Sequence, residues 1–294
     1  MKALLKVVYI SITSILVTSC GVDKIYTSAS YGSLKTYTEK PIYSGKKEVA
    51  NYISGSFRNA EYPQRIRSST NNERINDKAT GGNFSFHSVV TDKRINFYYG
   101  LGASFGNYQF KSDLKNMNPN LDNVFNKNDK LEYYNVNLKV GINHKLTLKK
   151  MEFSFIGLEL IYVNEFGSYI DKLNNIPQQV SSNVVIANEK SIFAFNLNTE
   201  ITYRINNVNN IGIGAFVGNI LLNNKEKIRN EGTSIGGLTF KYNHKNITIS
   251  VVTENSTRNI TSTRVGVAYR ISKKVKTKRN KTIDKLENED LRKE

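Results

Sequence analysis

The sequence predicts an all-β fold, an antiparallel up-and-down β-barrel of about ten strands with an N-terminal tether and a basic C-terminal tail. The first observation is an alternation of apolar and polar residues with a period of two over most of residues 46–272, clearest at residues 134–142. Such alternation gives a strand one apolar and one polar face. The second observation is that long polar connections alternate with short turns along the same range. All short turns are therefore expected at one end of the sheet and all long connections at the other.

Residues 1–19 have the composition of a bacterial signal peptide. Two lysines precede an almost unbroken apolar run over residues 7–17, which is shorter than the roughly 20 residues of a transmembrane helix. Residues 17–21 read VTSCG and resemble the lipobox of bacterial lipoproteins, in which an aliphatic residue and two small residues precede an acylated cysteine. The resemblance implies cleavage after residue 19 and a lipid anchor on Cys20. Cys20 is the only cysteine in the chain, so no disulfide forms within it.

The mature chain expected from this cleavage has 275 residues and a formal charge of +15, because the two lysines of the leader are lost. Tyr and Phe without Trp, only four prolines, and polar residues between short apolar segments favour one large β-domain. The positive charge predicts contact with anionic headgroups or an acidic partner. We expect no nucleic acid, because the chain is predicted to be exported and carries no nucleic-acid-binding motif.

The patterns divide the chain into a signal peptide (1–19), a tether (20–45), a β-barrel domain (46–272) and a charged tail (273–294). The tether has no sustained periodicity and is rich in Ser and Gly. The tail opens with six Lys and Arg within nine residues. We expect it to be disordered and solvated, or alternatively to contact anionic headgroups or an acidic partner in the periplasm.

Ten strands are predicted within the barrel domain. They cover residues 46–57, 80–91, 94–110, 130–146, 150–166, 189–205, 209–222, 232–242, 246–254 and 260–272. The alternation changes phase around residues 151–166, which predicts a β-bulge. An even strand number with short turns at one end is typical of outer-membrane barrels. Both ends of the barrel domain would then lie on the short-turn side, where the lipid-anchored N-terminus would reach the membrane.

Three features favour an apolar face directed to lipid over one directed to a soluble core, and the third is the C-terminal strand described in the next paragraph. The polar face mixes glycines with charges, which suits a narrow lumen, and the apolar stripes carry aromatic residues near their ends, which suits the bilayer interfaces. The lumen charges are Lys139, Glu200, Arg204, Arg264 and Arg270, and the aromatic residues are Tyr133, Tyr134, Phe193, Tyr203 and Tyr269.

Residues 264–271 resemble the C-terminal β-signal by which outer-membrane proteins engage their insertion machinery. Arg264 is the polar residue of this signal, followed by Gly266, the aromatic Tyr269 and the hydrophobic Ile271. The signal usually ends the polypeptide, whereas here a charged tail follows. With the alternation over the barrel domain, the chain resembles the small outer-membrane barrels of the OmpA, OmpX or OmpW type. The resemblance implies outer-membrane lipid and the insertion machinery as partners.

The sequence predicts neither an enzyme nor a cofactor. His87, in a strand, is the one candidate general base, although such a residue is more often a polar lumen histidine. His144 and His244 lie at predicted short turns, where solvated histidines are common. No His-x-His pair, second cysteine or acidic calcium loop is present, so we expect no metal site.

The remaining polar-face residues predict structure rather than chemistry. Lys139, Glu200 and Arg204 are candidates for ion pairs across the lumen. The glycine runs at residues 100–106 and 212–218 lie inside strands, which indicates close backbone approach or lumen space rather than a phosphate loop.

These features predict a lipid-anchored outer-membrane barrel with a structural or accessory role, as a subunit of an envelope complex with other envelope proteins. Two alternatives remain at this stage. One is a soluble periplasmic β-barrel or sandwich whose apolar face points inward and binds an apolar ligand. The other is an outer-membrane barrel enzyme.

Overall fold

A computed structural model gives the fold of the chain. It describes residues 24–27, 29, 48–67, 72–92, 94–111, 129–148, 150–175, 184–187, 189–206, 208–221, 234–256 and 260–271. The elements in chain order are β1 (Lys24–Thr27), β2 (Glu48–Arg67), β3 (Asn72–Thr91), β4 (Ile95–Gln109), β5 (Lys130–Thr147), β6 (Met151–Phe166), α1 (Ser168–Asn174), β7 (Val184–Ala187), β8 (Ser191–Arg204), β9 (Asn209–Leu221), β10 (Ser234–His244), β11 (Ile247–Ser256) and β12 (Thr261–Arg270).

Ten of the described strands close a barrel in the order β10-β11-β12-β2-β3-β4-β5-β6-β8-β9. Every neighbouring pair is antiparallel, and the barrel closes where β12 pairs with β2, from Thr261 opposite Glu61 to Arg270 opposite Tyr52. The predicted fold class is confirmed. The last eight predicted strands agree with the structure to within two residues at each end.

The first hairpin is longer than the sequence predicted. Pairing of β2 with β3 continues from Glu61 opposite Lys78 to Arg67 opposite Asn72, beyond the ends of the predicted strands 46–57 and 80–91. This stretch is polar at most positions. Backbone hydrogen bonds form a ladder without an apolar face, so alternation does not reveal it.

The predicted bulge lies in β6. The register with β5 shifts between His144 and Lys145, and the register with β8 shifts between Ser154 and Gly157. Phe155 and Ile156 both face outward as a result, and Ile156 is 68% exposed. Two consecutive outward residues reverse the alternation, which is the phase change seen in the sequence.

The apolar face of the sheet is on the outside of the barrel. On β5, Leu138 is 57% exposed, whereas its neighbours Asn137 and Lys139 are each 2% exposed in the lumen. The same alternation of exposed apolar and buried polar positions runs along β11 and β12. The alternative with an apolar face directed inward is therefore wrong for the described strands.

The outer apolar surface has the height of a bilayer core. Outward positions are apolar from Ile95 to Phe105 on β4, and ten steps of about 3.3 Å at a tilt of about 40° give a height of about 25 Å. Exposed aromatic residues lie toward both edges of this apolar band, while Tyr99 and Phe86 lie nearer its middle; those at one edge are Phe57, Phe84, Phe105, Tyr134, Phe166 and Phe193, and those at the other are Phe97, Tyr203, Tyr242 and Tyr269. Tyr133, which the sequence assigned to the same girdle, instead points into the lumen and is buried.

The two ends of the barrel differ. The short-turn end carries the tight connections after β3, β5, β8 and β10, and the first residue of β2 and the last of β12 also lie there. The long-loop end carries α1, whose Tyr169, Ile170 and Leu173 are fully buried. Within the described residues, no helix is long and apolar enough to cross a membrane.

The start of the tether lies at the long-loop end, not at the short-turn end where the sequence analysis placed it. β1 pairs in parallel with β7, which lies between α1 and β8. Ala29 is fully buried, and its backbone N–H donates a hydrogen bond to the Glu165 side chain at the end of β6. Most of the tether, together with Cys20 and the tail 273–294, lies outside the described residues.

Candidate functional site in the barrel lumen

The middle of the lumen holds a buried ion pair. Lys139 Nζ on β5 lies 3.5 Å from Glu159 Oε1 on β6, and both side chains are almost completely buried. Glu159 Oε2 accepts hydrogen bonds from Asn196 Nδ2 at 3.1 Å and from the Tyr98 hydroxyl at 3.4 Å. One carboxylate thus connects side chains from four strands, because Tyr98 is on β4 and Asn196 on β8.

Two further pairs lie toward the short-turn end. Glu200 on β8 pairs with Lys241 on β10 at 2.5 Å and accepts a hydrogen bond from the Thr202 hydroxyl at 2.9 Å. Lys145 pairs with Glu152 at 3.7 Å. Arg204, grouped with Glu200 in the sequence analysis, is partly exposed at the short-turn end. The partner that the structure assigns to Glu200 is Lys241, which the sequence analysis did not identify.

A second polar network lies closer to the long-loop end, at the seam where β12 meets β2. Arg58 donates from Nε to the Ser262 hydroxyl at 3.3 Å and from Nη2 to the Tyr62 hydroxyl at 3.1 Å. Ser262 in turn donates to Glu254 at 3.1 Å. Arg264, directly opposite Arg58 in the register, is also buried. The network therefore joins the last two strands of the chain to the first strand of the barrel.

The proposed β-signal residues divide between the two faces of β12. Arg264 and Gly266 point into the lumen, whereas Tyr269 is exposed on the outer surface. Ile271, just after the strand, is exposed, and its backbone N–H donates to Asn51 O at 2.9 Å.

An aromatic cluster closes the long-loop end above these networks. Tyr108 stacks on Tyr169 with ring centroids 4.2 Å apart, and it also contacts Phe110 at 4.9 Å and Tyr62 at 5.2 Å. The Tyr108 hydroxyl donates to Asp77 at 3.3 Å. Burial raises the pKa of the Tyr169 phenol well above its ordinary value. Tyr169 is therefore neutral and packs as an apolar ring.

Glycines in the strands provide space for lumen rings, as the sequence suggested. A Cβ at Gly141 would overlap the ring of Tyr98, and a Cβ at Gly106 would overlap a backbone oxygen of β3 and lie 2.7 Å from the Tyr133 ring. Both tyrosines thus lie flat against neighbouring strands, which fills the lumen beside the charged pairs.

The three histidines occupy different surroundings. His87 is fully buried and stacks on Tyr52 with centroids 4.8 Å apart. His144 faces outward on β5, and His244 Nδ1 lies 2.7 Å from Asn209 Oδ1 at the short-turn end. Among the described residues, no three His, Cys, Asp or Glu side chains are placed to hold a metal ion.

Together these features define a closed ten-stranded antiparallel barrel with an apolar outer band and a charge-paired lumen. No protein-family model and no curated protein matches the sequence.

Three solved structures are similar to the chain at low identity. The β domain of the Bordetella autotransporter Brka aligns with a TM-score of 0.40 and 9% identity, over 75% of this chain and 98% of that chain. The outer membrane protein OprG from Pseudomonas aeruginosa aligns with a TM-score of 0.34 and 8% identity, over 78% and 99%. Neisserial surface protein A aligns with a TM-score of 0.31 and 9% identity, over 76% and 99%.

Proposed function

We propose that this chain is a lipid-anchored transmembrane β-barrel of the bacterial outer membrane, with a structural or accessory role as a subunit of an envelope complex. The observation that carries the proposal is the apolar band of about 25 Å, flanked by two aromatic girdles. A water-soluble monomer rarely exposes an apolar patch larger than a few hundred Å². A band that encircles ten strands far exceeds that limit, whereas a bilayer core matches it in height.

The described interior supports a structural role. Buried charges of the lumen pair with side chains on other strands, as Lys139 does with Glu159 on the adjacent strand and Lys241 with Glu200 one strand further away. His87, the one candidate general base, packs against Tyr52 in the wall. These contacts tie strands to one another, and we propose a non-enzymatic protein that works without a cofactor.

The membrane proposal is tested by nitroxide labels on the outer face of β5. A label in place of Leu138 lies within the apolar band, and one in place of Lys130 lies on the same face beyond it. In protein reconstituted into lipid vesicles, we expect oxygen, which concentrates in lipid, to relax the label at 138 more strongly than a water-soluble nickel chelate does. The order should reverse at 130. Equal relative collision rates at the two positions would refute a transmembrane barrel.

The lipid anchor is proposed from the lipobox resemblance, with Cys20 as the acylated residue. We expect a Cys20→Ala variant expressed with a radiolabelled fatty acid to carry no label and to accumulate as the uncleaved precursor. A Thr18→Ala variant keeps the cysteine and a small residue before it, so it should be labelled and processed normally. Undiminished labelling of the Cys20→Ala variant would disprove the anchor.

The outer-membrane insertion machinery is the partner proposed from the β-signal. The strand that closes the barrel against β2 contains Arg264, Gly266 and Tyr269, and Ile271 follows it directly. Tyr269 and Ile271 are exposed. Side chains exposed on β12 can be contacted by the insertion machinery before β12 pairs with β2 and closes the barrel. Their exposure supports the proposal that this strand is a β-signal.

A further inference from the structure

Ala29, in the N-terminal segment, is bound inside the long-loop end of the barrel. Ala29 is fully buried, and its backbone N–H donates to Glu165 Oε1 at 2.9 Å. Its carbonyl oxygen accepts hydrogen bonds from Arg58 Nη1 at 2.7 Å and from the Tyr62 hydroxyl at 2.9 Å. Both polar groups of this peptide backbone are therefore satisfied by side chains of the barrel wall.

The three wall side chains come from strands that are not neighbours. Arg58 and Tyr62 are on β2 and Glu165 is at the end of β6, with three strands between them in the barrel order. Ala29 thus connects two sides of the lumen. The Ala29 N–H donates to the carboxylate of Glu165, and the Ala29 carbonyl accepts from the guanidinium of Arg58. Both hydrogen bonds are charge-assisted, and such bonds are shorter and stronger than those between neutral groups. Other contacts hold Arg58 in place, because it also donates to Ser262.

A second contact fixes the same segment at the same end. β1 forms a parallel pair with β7, from Lys24 opposite Val184 to Thr27 opposite Ala187. β7 belongs to the connection between α1 and β8, at the long-loop end. Side-chain hydrogen bonds to Ala29 and backbone pairing of β1 are independent observations, and both place this part of the chain, residues 24–27 and 29, at the long-loop end.

We propose that Arg58, Tyr62 and Glu165 form an intramolecular binding site for the chain's own N-terminal segment, which they hold in the long-loop mouth of the barrel. The site recognises the backbone of a small residue, since the wall side chains hydrogen-bond to the N–H and the carbonyl of Ala29, whose side chain is completely buried. The N-terminal end of the mature chain then leaves the barrel beside the long loops.

Chain length allows this arrangement. Arg58 is ten residues from the start of β2 at the short-turn end, about 33 Å of strand. The 18 residues between Ala29 and Glu48 reach up to about 60 Å when extended, so they connect the two ends. Cys20 precedes Lys24 by four residues, a reach of about 14 Å. If the barrel spans the membrane as proposed above, this reach puts the acyl group on the side of the membrane where the long loops lie.

The first test is a cross-link between β1 and β7 in residues 20–294, the chain without its proposed leader, refolded in detergent with Cys20→Ser. Ile25 and Val185 are register partners, and neighbouring strands place Cα atoms within the 4.4–6.8 Å that a disulfide spans. We expect the Ile25→Cys, Val185→Cys variant to oxidise almost completely. The control replaces Val185→Cys with Asn246→Cys at the short-turn end, and it should form no internal disulfide. Equal yields in the two variants would overturn the proposal.

The second test removes one hydrogen bond without changing the barrel wall. Ala29→Pro lacks the N–H that donates to Glu165, whereas Ala29→Gly keeps it. We expect trypsin to cleave after Lys24 about tenfold faster or more in the proline variant, because cleavage follows the population of undocked segment. Mass spectrometry of the fragment that begins at Ile25 gives the rate. Identical cleavage rates in the two variants would overturn the proposed site.

Both tests are performed on detergent-solubilised protein, so they do not depend on the outer-membrane location. A failure of the cross-link alone would leave the membrane proposal intact. A failure of the oxygen-accessibility test on β5 would instead refute the transmembrane proposal and leave the proposed binding site unaffected.

Discussion

Replacing Lys139 by methionine is expected to lower the free energy of unfolding of the barrel by about 3–5 kcal/mol. The substitution removes the positive charge 3.5 Å from Glu159 and leaves that carboxylate buried in the middle of the lumen. Removal of one partner from a buried pair costs more than the pair itself contributes, because the remaining charge stays desolvated. Urea unfolding in lipid vesicles, followed by far-UV circular dichroism, measures the change.

The matched control is Lys78→Met on the long first hairpin. Lys78 pairs with Glu61 at 3.7 Å, but 48% and 40% of the two side chains are exposed. Solvent screens this pair, so its loss should cost between about 0 and 1 kcal/mol. A double variant, Lys139→Met with Glu159→Gln, should recover most of the stability lost in Lys139→Met. If Lys139→Met and Lys78→Met destabilise the barrel equally, the buried pair does not stabilise the lumen as described.

The lumen ion pairs show what the alternation of apolar and polar residues can predict and what it cannot. It placed Lys139 and Glu200 on the polar face, which requires only a period of two. It did not identify Glu159 or Lys241, because partners on other strands depend on the register. For β5 and β6, which a short turn connects, the register can in principle be counted outward from that turn. The observed register places Gly141 opposite Glu159, so Glu159 is two residues away from the position opposite Lys139. The bulge in β6 shifts that register by one residue, so simple counting from the turn fails.

The elements that the sequence missed are stabilised by tertiary contacts rather than by local pattern. α1 has seven residues, fewer than two turns, and no side-chain hydrogen bond caps its N-terminus. A helix this short is unstable alone, and it forms here because Tyr169, Ile170 and Leu173 pack into the hydrophobic core that also contains Tyr108 and Phe110. The contact of Ala29 with Glu165 joins residues 136 positions apart, a separation at which no local sequence signal exists.

The outer face of β5 leads to the second large effect. Leu138→Arg is expected to destabilise the barrel in lipid by about 2–4 kcal/mol, because Leu138 is exposed near the middle of the apolar band and arginine there must enter the bilayer core. Urea unfolding in vesicles gives the free energy, and the fraction of folded barrel, which resists detergent on an unheated gel, reports insertion.

Leu146→Arg is the matched control on the same strand and face. Leu146 is also exposed, but it lies one residue before the end of β5 at the short-turn edge of the band. An arginine there reaches the headgroups, so the expected cost falls to about 0–1 kcal/mol. The outer surface of a soluble barrel contacts water at every height. Arginine at either exposed leucine would then change the free energy of unfolding very little. The difference between the two variants, rather than the size of either change, thus reports the bilayer, and equal costs at the two positions would exclude it.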